Sequence, residues 1–117
     1  MGSLRPVVKV WLDRDGKAFG DGPCRLLKGV ERTGSLRQAA AEMHMSYNKA
    51  WLLLRALEER LGFALLERTV GGATGGGSWL TPEAQDLVHR YEAFEREVHD
   101  AVQAAFVRHF AAGSEVT

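Results

Sequence analysis

The chain has 117 residues, 45% of them apolar, enough for one domain with a real core and without an apolar run that could span a bilayer. One cysteine, Cys24, excludes an internal disulfide, and the N-terminus lacks the apolar core of a signal peptide, so a cytoplasmic protein outside the membrane is expected. Fifteen Lys/Arg balance fifteen Asp/Glu, yet residues 1–81 carry a net +4 and residues 82–117 a net −4, which leaves the first part suited to an anionic partner.

In chain order, "VVKVWLD" (Val7 to Asp13) is β-branched and aromatic and reads as a strand. "DRDGK" offers turn chemistry, and "AFG" a short returning strand. "DGPCRLLKGVERTGS" follows, with Pro23 in a first helical turn, Leu26, Leu27 and Val30 on one face, and Gly34 as a stop. Cys24 lies among apolar neighbours there and reads as a small buried hydrophobe. Ser35 caps a second helix that ends near His44. Ser46 caps a third, whose Ala50, Leu54, Leu57 and Leu61 form one face before Gly62. "ALLERT" and "SWL" are strand-like pieces on either side of a glycine-rich run. Thr81-Pro82 then opens a last helix reaching about Phe110, and the tail 111–117 is expected to be disordered.

Five glycines between Gly71 and Gly77 invite a phosphate-loop reading. Gly71, Gly76 and Ser78 fit that pattern, but its lysine is replaced by Gly77 and no helix follows directly. The glycines therefore suit the tip of a hairpin. Two short helices joined by a three-residue turn, with a capped second helix and a hairpin behind it, form a winged helix-turn-helix pattern. Ala39 and Ala40 are small where the helices cross, and Leu36, Met43, Met45, Ala50 and Leu54 can fill the seam. Tyr47, Asn48 and Lys49 then open the exposed end of the recognition helix. Asn can read an adenine edge, Lys can reach guanine or phosphate, and a tyrosine hydroxyl suits a phosphate oxygen.

"GSLRQAAAEMHMSYNKAWLLLRALEERLGFALLERT" resembles the DNA-binding domain shared by LysR-type regulators and the ModE-type, molybdate-responsive repressors. "SYNKAW" and "ERTVGGATGGGSWLT" are more similar to the ModE type. The resemblance covers roughly residues 5–92. It implies a mainly α fold with a small β wing and a long C-terminal helix, binding double-stranded DNA as a homodimer that regulates transcription. Its DNA-facing positions are Ser35, Ser46, Tyr47, Asn48, Lys49, Arg55 and Arg68, with Thr69 and Thr74 in a wing that reaches Ser78. ModE-type repressors sense molybdate with further C-terminal domains. Because this sequence stops after the long helix, it resembles a stand-alone form, and molybdate is not expected to bind it. Leu52 departs from the pattern, since these families usually place a polar residue there. It implies contact with more protein, with DNA sugars, or with a thymine methyl.

The expected organisation is one domain over 1–117: helix-turn-helix about 35–62, wing about 64–80, and dimerisation helix about 82–110. Leu87, Tyr91, Phe94, Val98, Ala101 and Ala105 step by 4, 3, 4, 3 and 4, the spacing of a coiled-coil seam. Val88, Val102, Phe106 and Phe110 form a second stripe beside it, wider than one domain's own face needs. No metal or cofactor is expected, because His89, His99 and His109 point about 80° apart on a helix and cannot close on one ion. Catalysis is not expected either: no nucleophile elbow or metalloprotease motif occurs, and Glu58 and Glu59 read as a solvated face. The alternative reading is a winged-helix protein-interaction module without sequence-specific DNA binding.

Overall fold

In a computed structural model, residues 3–68 and 77–110 are described. The elements run β1 (Leu12–Asp13), β2 (Lys17–Phe19), α1 (Asp21–Thr33), α2 (Leu36–Glu42), α3 (Tyr47–Leu61), β3 (Leu66–Arg68), β4 (Ser78–Leu80) and α4 (Pro82–Phe110). Each strand pair is antiparallel, with Leu12 opposite Phe19 in one and Glu67 opposite Trp79 in the other. The expected strand Val7–Asp13 shrinks to its last two residues. The cause lies across the hairpin, where β2 ends at Phe19 and the chain enters α1 at Asp21, leaving no strand opposite residues 7–11. The Val10 carbonyl instead accepts the Tyr91 hydroxyl at 2.8 Å.

The helix ends follow from local chemistry. Gly34 stops α1 and Gly62 stops α3, both with left-handed backbone (φ 73° and 87°) and with their N–H groups closing on Val30 and Glu58 carbonyls. Ser35 Oγ accepts the Gln38 N–H and Ser46 Oγ accepts the Lys49 N–H, each at 3.1 Å. Between α2 and α3, His44 takes a left-handed conformation (φ 57°), and the Met45 N–H returns to the Ala40 carbonyl at 2.9 Å. This compact turn holds the two helices in helix-turn-helix relation. Gly29 is required where α1 meets α2, because a Cβ there would sit 2.9 Å from that of Ala39.

The core draws Phe19, Leu26, Leu27, Val30, Leu36, Ala39, Ala40, Ala50, Leu54, Leu57, Leu65, Leu80, Ala84, Val88 and Tyr91 from every layer. Phe19 and Tyr91 meet edge-to-face with ring centroids 5.3 Å apart. Thr81 joins wing to helix: its Oγ1 donates to the Ala64 carbonyl at 2.7 Å and accepts the Ala84 N–H at 3.0 Å. Burial on α4 is confined to Ala84, Val88 and Tyr91. Tyr91, placed in the dimer seam by its spacing, is therefore a core residue of its own domain, 1% exposed. The two phenylalanines of the distal end, Phe106 and Phe110, stack on each other at 5.6 Å. No helix among the described residues is long and apolar enough to cross a membrane.

Candidate nucleic-acid interface

The residues that open α3 stand at one surface with the root of the β3–β4 hairpin. Tyr47 is half-buried at the first helical position, and Asn48 and Lys49 are exposed beside it. Arg68, the last residue of β3, lies over the Trp51 ring at 4.1 Å and donates to the Tyr47 hydroxyl. Arg37, from the first turn of α2, lies over the Tyr47 ring at 4.5 Å. Two guanidinium groups from two elements thus share one tyrosine. Among the described residues no carboxylate lies within ion-pair distance of either. Ser35, Arg37, Tyr47, Arg68, Gly77 and Ser78 line an open cavity of about 250 Å³ between them.

Several expected roles change at this surface. The Tyr47 hydroxyl accepts from Arg68, so its first partner is protein. Ser35 and Ser46 use their oxygens as caps, and each keeps a hydroxyl proton to donate. Arg68 is opposite Ser78 in the strand register, and among the described residues its side chain forms no ion pair across the hairpin. The pairing there is Trp79 Nε1 donating to Glu67 Oε2 at 2.9 Å. Arg55 is exposed, 5.2 Å over Trp51 and 3.9 Å from Glu58. Trp51 is half-buried and packed against the core, as its spacing suggests. Thr69 and Thr74, with the rest of 69–76, lie outside the described residues, as does the tail 111–117.

Glu58 is not a solvated residue. Its carboxylate accepts the Leu65 N–H at 2.7 Å and so ties the end of α3 to the start of the hairpin. The Ser78 N–H donates to the Gly34 carbonyl at 3.0 Å, fixing the returning strand to the α1–α2 junction. Helix and hairpin are held to each other at both ends.

Arg37 was missed by sequence reasoning, although a signal existed. A cation in the first turn of a helix opposes the helix dipole, and the first turn of α2 carries no acid to offset it. Such a placement costs stability unless an anion meets it. Lys49 likewise lies in the first turn of α3, which carries no acid either.

Helix-turn-helix, wing, and a cationic face shared between them define a DNA-binding winged helix-turn-helix domain. Residues 24–85 match the model of the bacterial regulatory helix-turn-helix proteins of the lysR family, and the chain belongs to that family. It is homologous to ModE regulators. It is 35% identical over 103 residues to the molybdenum transport protein ModE of Azotobacter vinelandii, covering 87% of this chain and 38% of that protein. It is 43% identical over 72 residues to the transcriptional regulator ModE of Haemophilus influenzae, covering 62% and 28%. The chain thus spans less than two fifths of the length of these relatives. Among solved structures it resembles the crystal structure of the CbnR_DBD–DNA complex, with a TM-score of 0.55 and 25% identity over 72% of this chain and 94% of that one.

Proposed function

We propose that this domain regulates transcription by binding double-stranded DNA as a homodimer, with α3 as recognition helix and the β3–β4 hairpin as wing. The observation that carries the reading is the Arg37–Tyr47–Arg68 grouping. Two cations with no carboxylate partner among the described residues converge beside the N-terminus of α3, where a duplex backbone would pass. Arg37 and Arg68 hold phosphates, as do the hydroxyls of Ser35 and Ser46. Asn48 and Lys49 reach base edges, and Arg55 meets the backbone one turn further on. Thr69 and Thr74, outside the described residues, are assigned to the same DNA contact. Molybdate has no role on this chain in the reading, because the two arginines stand on an open surface that would hold a free oxyanion only by solvated side chains.

The dimer forms along α4, mainly through its distal half, with Leu87 at the near edge. Leu87, Val98, Val102 and Phe106 are half-buried and Phe94 is exposed, while Tyr91 stays in the core. Two recognition helices at fixed separation read a longer site than one.

Anisotropy titrations on a duplex selected from a random pool, and on random duplexes, test the reading. Asn48→Ala should cost roughly 1–3 kcal/mol on the selected duplex and relax preference at one position. Arg37→Ala and Arg68→Ala should weaken both duplexes evenly and lower the salt slope by about 1 each. Unchanged binding in all three variants would remove this surface from DNA and leave the protein-interaction reading.

A further inference from the structure

Leu52 is the exposed leucine at the middle of α3, 58% accessible. It lies roughly 160° around the helix from both Ala50 and Leu54, which are buried, so the described core leaves it uncovered. Its neighbours one turn before and after are Asn48, Lys49, Arg55 and Ala56, all exposed. The leucine is therefore ringed by two cations, one amide and one methyl, with no carboxylate. Such a ring suits an apolar spot framed by negative charge. In the major groove of DNA that spot is the 5-methyl of thymine, flanked by phosphates.

We infer that Leu52 is a specificity-determining residue whose side chain packs on a thymine methyl in the major groove. The inference rests on the reading of α3 as recognition helix. Leu52 follows Asn48 by four residues, about 6 Å along the axis, or roughly two base-pair steps. The pair then reads an adenine edge through Asn48 and a thymine methyl through Leu52 within one short stretch. A protein partner is the weaker occupant, because Lys49 would need an acid placed beside a leucine pocket, whereas Arg55 already has Glu58 at 3.9 Å.

The test uses the full chain and the selected duplex, with each thymine replaced in turn by deoxyuridine, which lacks only the methyl. One replacement should weaken wild-type binding roughly three- to fivefold, the loss of one buried methyl contact. The same replacement should leave Leu52→Ala unmoved, while circular dichroism shows that variant folded like wild type. If no deoxyuridine shifts wild-type affinity by twofold, or Leu52→Ala loses as much at that position as wild type, the assignment is overturned while DNA binding stands. A Leu52→Ala variant with full affinity for the methylated duplex overturns it equally. Failure to select any duplex overturns both this assignment and the reading beneath it.

Discussion

The two halves of α4 carry similar apolar spacing and meet different fates. Up to Tyr91 the helix belongs to its own domain: Ala84, Val88 and Tyr91 are buried against α1, β2 and the wing root. Beyond Tyr91 no described residue is buried, although Phe94, Val107 and Phe110 are 43%, 48% and 50% exposed. At 1.5 Å per residue the helix is about 43 Å long, more than the small body it leans on can cover. Periodicity reports which residues share a face; it does not say where along the helix the neighbour ends.

The strongest way to break the contrast is to charge the uncovered half. If α4 forms the proposed two-fold interface, Phe94→Glu combined with Val98→Glu places four carboxylates in it and should weaken the proposed dimer by several kcal/mol, giving monomers by sedimentation at tens of micromolar. A double variant that stays dimeric would remove α4 from the interface. Truncating the covered half should act on folding instead. Tyr91→Ala removes the edge contact with Phe19 and the hold on the Val10 carbonyl, and should cost about 3–5 kcal/mol by denaturant unfolding. Phe110→Ala, at the far end, should leave monomer stability within about 0.5 kcal/mol.

A smaller effect comes from pH. Burial, then the Glu95 carboxylate, pushes the Tyr91 hydroxyl up to about 12 from 10.0. Burial, then Glu92, pushes the Cys24 thiol up to about 12 from 9.0. Both groups fold neutral and ionise more easily when unfolded. Their stabilisation is complete below about pH 9 and lost as pH rises toward 12. Thermal melts between pH 7 and 11 should show this decline, reduced in Cys24→Ala. The smallest effect belongs to the Lys28–Glu92 pair, which links α1 to α4 just past the boundary between the halves. The Glu92 partner raises the lysine, but both ends are solvated, so Glu92→Gln should shift the melt barely and not at all in high salt.

The helices were legible because their ends are written in single residues. Ser35, Ser46, Gly34 and Gly62 act by local geometry that needs no neighbour. The opening strand was not, because its length depends on how soon the opposite strand turns into α1, which the β propensity of its own residues cannot contain. The same holds at the DNA-facing surface. Asn48 and Lys49 follow from their place after a cap, whereas the meeting of Arg37 with Arg68 over Tyr47 needs two elements folded onto each other. Tyr91 was misjudged because its partner, the Val10 carbonyl, lies far along the chain, and Glu58 because the N–H it accepts lies just past the helix end, at Leu65.

The buried thiol of Cys24 has a practical use. It is the chain's sole cysteine, 4% exposed on α1, with the carboxylates of Glu92 and Glu95 on α4 acting on it. A thiol reagent can reach it only when the core around α1 opens, so every labelled molecule records an opening of that core. Timed labelling of the unmodified protein therefore gives a clock for core opening. Run with and without a bound duplex, that clock would report how far occupancy at one end of the molecule is felt at the other.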